Sequence, residues 1–379
     1  MFLGFAVAIL LVQIINGLPI QKETGNGNDA STQDDPCDGL PCEQWAEVQK
    51  KLAFLNALEA KNTDNLLESY SQDVHTTGPV DEDNEGPDIL YTPEQIDEEL
   101  DDVIRGMGSG QGHRQKRKVI NGDTYRWEMP IRYMIDSGFQ SRHKNLIRGA
   151  IKHWESNTCV TFKEENVNTE TADFKHLLFK SKSTGCASYV GKVNLGSLAQ
   201  PVYLATSCFG KFGIPVHEIG HALGLYHEHQ RPARDGHITI REDNIHSYWL
   251  SNYKQKPESR VADFGIPFDF NSVMHYGGRI GSINGDYTIE TEDKLFQGNL
   301  GQRVGVSFLD AMAINLAYCQ GECRPSQLRQ SCQHGGYQDP KNCDSCRCPS
   351  GLKGRYCEQV APPVGLLNCG DYIEMQKRR

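Results

Sequence analysis

The chain has 379 residues and a net charge of −10, length enough for two or three domains. Past the amino-terminal stretch no segment approaches the roughly 18 apolar residues of a membrane helix, so no membrane span is expected. The charge is split: residues 18–117 carry 22 acidic and 8 basic side chains, net −14, and residues 118–379 carry 27 and 31, net +4.

In chain order, residues 1–17 hold an apolar run of about a dozen residues, too short to span a bilayer; they read as a secretory signal peptide. Thirteen cysteines behind such a leader imply disulfides and an oxidising compartment, and the odd number leaves at least one without an intramolecular partner. Residues 21–36 have a disordered composition. Cys37 and Cys42 either pair locally or bridge elsewhere. Trp45, Val48, Leu52 and Leu55 form one stripe, which predicts a helix over 43–58. Residues 81–88 form an acidic loop. Thr92-Pro93-Glu94-Gln95 is a capping box with proline at the first helical position, and Ile96, Leu100 and Val103 continue that helix. The tract GMGSGQGH at 106–113 is flexible and accessible. It leads into Arg114, Lys116 and Arg117, an R-x-K-R site of the kind proprotein convertases cut after the last arginine. Residues 18–117 therefore read as a propeptide, opposite in charge to the chain beyond residue 117.

Beyond residue 118, MPIRYMID (129–136) reads as a strand. Leu146, Ile147, Ala150, Ile151 and Trp154 mark an amphipathic helix over 141–156. CVTFKE (159–164) and HLLFKS (176–181) read as strands. The segment HEIGHALGLYH (217–227) comes next. On a helix, residues four apart share a face, so His217 and His221 can point at one atom. His227 lies about 1000° of helical turn from His217, roughly 80° short of whole turns, so the helix must stop first. Gly224 sits where a left-handed residue can end it. Three neutral imidazoles with one position left open describe a catalytic zinc site. Glu218 is placed beside it as a proton acceptor. H-E-x-x-H-x-x-G-x-x-H is the metzincin signature, completed by a downstream methionine turn, here SVMHYG (272–277). LDAMAINLAYC (309–319) predicts a short helix. Residues 323–357 hold six cysteines; so short a segment needs staples, and spacing alone allows fifteen pairings.

HEIGHALGLYHEHQRPARD and SVMHYG, with GDTYRW, GCASYVG (185–191) and GQR (301–303), resemble the astacin family of zinc endopeptidases over residues 118–319. The order of leader, propeptide, peptidase domain and cysteine-rich module is most similar to the secreted astacins of nematodes. The resemblance implies an α+β fold: a metzincin/astacin-type two-subdomain catalytic domain, a twisted sheet plus helices with one zinc ion in the cleft. His217, His221 and His227 match the zinc ligands, Glu218 the catalytic glutamate, and Tyr276 the tyrosine that stabilises the oxyanion. Glu228 matches the residue that receives the mature amino terminus, here Lys118 after cleavage. Arg303, in GQR, matches an arginine near the pocket for the residue after the scissile bond and implies a preference for Asp or Glu there. The family implies the bridges Cys159–Cys319 and Cys186–Cys208.

Cys346 to Cys357, with HGG and PSGLKG, resembles an EGF-like module, which implies Cys323–Cys343, Cys332–Cys346 and Cys348–Cys357. LNCGDYIE resembles the opening of a CUB domain; too little chain lies beyond it for a core, so 358–379 is expected to be a disordered tail with Cys369 exposed. Three departures stand out: Ala233 in RPARD, Leu225 after Gly224, and Pro87 ahead of Asp88 where the family's propeptide places an aspartate on the zinc. Asp88 is the candidate inhibitory ligand. The expected activity is secreted, extracellular endopeptidase cleavage of a protein substrate, with a proprotein convertase as activating partner and no nucleic-acid partner. The competing readings are a catalytically silent matrix-binding scaffold and zinc hydrolysis of a non-peptide ester or amide. Retention of Glu218 argues against the first, and no pocket feature of the sequence favours the second.

Overall fold

The computed structural model describes residues 37–59, 87–108, 118–167, 171–262 and 264–362. The leader, the R-x-K-R site and Cys369 lie outside the described residues; residues 358–362 of the expected disordered tail are described, and against that expectation Gln359–Val360 form a strand paired with Leu352–Lys353.

Two helices come first among the described residues: α1 (Cys42–Glu59) and α2 (Pro93–Gly108), with strand β1 (Ile89–Leu90) between them. The capping box forms as its residues dictate. Thr92 Oγ accepts from Gln95 N, and Thr92 N donates to the Gln95 side chain. Cys37 and Cys42 pair with each other. The domain continues with β2 (Val119–Ile120), β3 (Ile131–Ile135), α3 (Ser141–Asn157), β4 (Phe162–Glu164), β5 (His176–Ser181), β6 (Cys186–Tyr189) and β7 (Ala199–Leu204). Next come α4 (Gly213–Ala222), β8 (Ile238–Ile240), β9 (Val261–Ala262), β10 (Ile289–Thr291) and α5 (Phe308–Tyr318).

Six strands make one mixed sheet in the order β1-β6-β7-β5-β3-β4, in which only β6 and β7 are antiparallel neighbours. Without β1, strand β6 would be an edge. The main core joins this sheet to α3, α4 and α5 through Ile131, Ile147, Trp154, Leu177, Val202, Ile219 and Ile314. Trp154 is fully buried and its indole N–H donates to Val216 O at 2.9 Å, so the amphipathic face of α3 fixes α4 directly. A second cluster gathers Ile238, Trp249, Tyr253, Tyr276 and Ile289 around the β8–β10 pair.

Residues 323–362 form two small hairpins, β11 (Tyr337–Asp339) with β12 (Asn342–Arg347) and β13 (Leu352–Lys353) with β14 (Gln359–Val360). The bridges Cys323–Cys343, Cys332–Cys346 and Cys348–Cys357 staple them, and Cys159–Cys319 and Cys186–Cys208 staple the domain. The hairpin module docks on the ends of α3 and α5: Asn315 Nδ2 donates to Tyr337 Oη at 2.8 Å and Arg347 to Asn157 Oδ1 at 2.7 Å. No described helix is long and apolar enough to cross a membrane.

Candidate metal centre

Helix α4 carries His217, Glu218 and His221, all buried. It ends at Ala222, where Gly224 takes φ +104° and its N–H returns to His221 O at 2.8 Å. A Cβ at Gly224 would also lie 2.9 Å from Ile120. The chain then runs extended to His227. The imidazole Nε2 atoms of His221 and His227 lie 3.2 Å apart, and those of His217 and His227 lie 3.0 and 3.1 Å from Asp88 Oδ2. One ligand atom from each of Asp88, His217, His221 and His227 falls within 4.8 Å of every other.

Two rings are locked from behind. His217 Nδ1 donates to Val273 O at 2.7 Å, and His221 Nδ1 donates to Leu225 O at 2.8 Å. Their Nε2 atoms therefore present lone pairs inward. The third ring is held by packing on Tyr276, centroids 4.3 Å apart, and on His229 at 5.2 Å. Burial pushes the pKa of His217 down to about 3 and that of His227 to about 4, so both rings are neutral near pH 7. The Nε2 atoms of all three rings thus gather with a buried carboxylate, and a cation at the centre would satisfy the inward lone pairs of His217 and His221 and the charge of Asp88 together. The residues present fit zinc, which is bound by imidazole nitrogen and carboxylate oxygen.

The floor of the site is SVMHYG. A Cβ on Gly220 would lie 2.6 Å from Met274 Sδ, which explains glycine inside the helix: it admits the sulfur against the α4 backbone. Glu228 N donates to Met274 O, linking this turn to the residue after His227. Tyr276 Oη donates to Asp88 Oδ1 at 3.2 Å. Asp88 is also fixed through its backbone, because Ser188 N on β6 donates to its carbonyl at 2.9 Å.

Arg303 is buried, and its Nη1 donates to the carbonyls of Val273, His275 and Gln302, each at 3.0 Å. It braces the methionine turn as well as lying near the histidines. Glu228 was expected to meet the amino terminus of a mature chain. In the uncut chain it already meets an ammonium, the side-chain Nζ of Lys118, at 3.1 Å. That Nζ also lies 2.6 Å from Asp310 Oδ1 and 4.0 Å from Asp269 Oδ2, while the Lys118 backbone N–H goes to Ala262 O. Asp310 in turn accepts from Ser272 Oγ and Val273 N, at the start of the methionine turn. Sequence reasoning missed this internal cation and missed His229, buried beside His227. The resemblance brought only the mature amino terminus of Lys118 to Glu228; its side chain gave no signal, because the carboxylates at 228, 269 and 310 come together only in three dimensions. His229 was visible in HEHQ, although outside the ligand spacing.

Three imidazoles and a carboxylate about one buried point, on a helix–glycine–return unit floored by methionine, define a metal centre of the zinc-hydrolase kind. The family model described as Astacin, a peptidase family, matches residues 119–319. The chain belongs to the astacin family, whose metal is zinc. It is 37% identical over 291 residues to the zinc metalloproteinase dpy-31 of Teladorsagia circumcincta, covering 76% of this chain and 45% of that one. It is 39% identical over 293 residues to dpy-31 of Caenorhabditis elegans, covering 76% and 47%. It is 39% identical over 258 residues to the zinc metalloproteinase nas-30 of C. elegans, covering 68% and 33%. Among solved structures it is similar to high choriolytic enzyme 1, a hatching enzyme zinc-protease from Oryzias latipes, at 29% identity and a TM-score of 0.43 over 50% of this chain and 88% of that one. The chain spans about half the length, or less, of these curated relatives.

Proposed function

We propose that the protein is a secreted zinc-dependent endopeptidase made as a proenzyme: a leader over residues 1–17, a propeptide over 18–117 cut after Arg117 by a convertase, a peptidase domain over 118–319, an EGF-like module over 323–357 and a tail. The observation that carries this reading is the convergence of His217, His221 and His227 on Asp88, with Glu218 on the same helix turn and Tyr276 opposite. His217, His221 and His227 would hold the zinc. Once bound, zinc lowers the pKa of a coordinated water and polarises a carbonyl. Glu218 takes a proton from the attacking water and passes it to the leaving nitrogen. Tyr276 donates its hydroxyl hydrogen to the developing oxyanion, the hydrogen that Asp88 receives in the precursor.

The same geometry supports latency. Asp88 lies against the three imidazoles and would compete with substrate for the metal held there, and Ile89 and Leu90 pair with Ser188 and Tyr189 along β6. An extended peptide substrate needs that strand edge for main-chain hydrogen bonds. Propeptide and substrate therefore compete for both metal and edge. For specificity, Arg303 remains the proposed reader of an acidic residue after the scissile bond. Arg303→Ala should weaken that preference more than it weakens cleavage of neutral peptides, and a cleavage profile indifferent to acidic residues would remove Arg303 from this role.

The reading is tested with the secreted chain. Arg117→Ala should leave a larger, inactive form. Adding Asp88→Ala should raise its peptide cleavage above that background, though short of the processed enzyme, because β1 and α2 still cover the cleft. No gain from Asp88→Ala would remove Asp88 as the latency ligand.

A further inference from the structure

Two cations of the peptidase domain, Lys256 and Arg260, draw their carboxylate partners from α2. Lys256 is 3% exposed, and its Nζ lies 2.8 Å from Glu99 of α2 and 3.2 Å from Tyr91 Oη. Arg260 Nε lies 2.6 Å from Asp102, and its Nη1 2.5 Å from Glu98. Among the described residues, every carboxylate in ion-pair distance of either cation belongs to α2. From the peptidase domain itself, the Tyr226 ring lies 5.2 Å from Lys256 Nζ, and Tyr226 immediately precedes the ligand His227.

The backbone beneath these cations belongs to the peptidase domain. Lys256 N donates to Gln230 O, Asn121 N donates to Arg260 O, and β9 pairs with β2 one residue further on. Excision of residues up to 117 leaves both side chains on a fixed platform with their counter-charges gone. Two uncovered cations beside a cleft recruit new carboxylates. The covering segment also shows what fits: an amphipathic helix whose acids at i, i+1 and i+4 meet the cations. Its Ile96 and Leu100 pack in the cluster of Tyr189, Val193 and Leu195.

We propose that Lys256 and Arg260 form an exosite of the processed enzyme that captures an acidic, amphipathic helical segment of its protein substrate, away from the scissile bond. This rests on the proposed excision of the propeptide and deepens it by naming a substrate feature. The exosite is separate from Arg303, which would read a single residue beside the cleaved bond.

The test uses the full chain after convertase processing and three fluorogenic reporters sharing one neutral cleavable core. One reporter is untagged. One carries residues 92–106 through a flexible linker, prepared in versions with the tag at either end. One carries the same tag with the changes corresponding to Glu98→Gln, Glu99→Gln and Asp102→Asn. The acidic tag at one end should lower KM about tenfold at low salt without changing kcat, and the advantage should shrink as salt rises. Arg260→Gln and, separately, Lys256→Met should each remove most of that advantage while cleaving the untagged reporter like wild type. Equal KM for acidic and neutralised tags at both ends would overturn the exosite, as would an advantage undiminished in Arg260→Gln. Failure of the processed wild type to cleave even the untagged reporter would overturn the activation reading, and the exosite with it.

Discussion

Gly220 shows how a single missing Cβ positions the metal centre. The Met274 sulfur occupies the space a side chain would take, with Trp154 on the other flank. Gly220→Ala should destabilise the domain by about 1–3 kcal/mol through overpacking and loosen zinc retention, because α4 carries two of the three imidazoles. Thermal melts and metal content of the secreted chain check this, and unchanged values of both would show that the turn yields freely. At this scale the sequence was most legible where chemistry is local. Four-residue spacing placed His217 and His221, and Gly224 adopts the left-handed turn its position demanded. Asp88 was found by resemblance, since Pro87 disturbs its motif, and the structure brings it to the three histidines.

Among the elements, α1, α2, α3 and α5 were readable because each buries one stripe. Strand β7 was not. Its sequence AQPVYL has Pro201 inside a central strand, which removes a ladder donor and argues against strand assignment. Strand β1 is two residues long and has no period to read; its partner β6 determines it. The segment before β2 holds the other unforeseen feature, the buried Lys118. Burial works against its charge, but Asp310, Glu228 and Asp269 outweigh burial and raise its pKa. Against burial, Lys118 lowers the pKa of Glu228 and Asp310, whose stabilisation is therefore fully present above the ordinary carboxylate pKa and lost as pH falls below it, down through their depressed folded values. Asp269 runs the other way. Burial, with Asp310 and Glu228 nearby, raises it to about 6, so it stays protonated below that pH, and its ionisation costs stability as pH rises from the ordinary carboxylate range toward 6. Lys118→Met should cost about 3–5 kcal/mol near pH 7, where it strands buried carboxylates, and the Tm gap to wild type should narrow toward pH 4. A gap that is constant with pH would show that Lys118 is not paired in the folded chain.

For the whole molecule, charge and covalent links divide the work. The acidic segment 18–117 read from composition supplies the carboxylates on Lys256 and Arg260, and also an α1–α2 contact through Lys51 and Asp97. High salt should therefore weaken rebinding of an excised propeptide more than it weakens the domain itself, which titration of propeptide inhibition at low and high ionic strength would check. Cys159–Cys319 closes a span of 160 residues and ties α3 to the end of α5, on which the hairpin module docks. Loss of this bridge should cost about 4–5 kcal/mol by loop entropy, read as a fall in the denaturation midpoint of the Cys159→Ser/Cys319→Ser double variant. The pairing of the six bridges among the described residues agrees with what the resemblances implied for five of them, and the local pairing of Cys37 with Cys42 resolves the choice that spacing left open.

The most direct measurement compares processed wild type with processed Glu218→Ala for bound zinc and peptide turnover in the same preparations. Removing the proton acceptor while keeping His217, His221 and His227 should leave one zinc per chain and lower kcat by about 10²–10⁴-fold. Undiminished turnover in Glu218→Ala, or loss of its zinc, would contradict the assignment of Glu218 as the base beside a three-histidine metal centre.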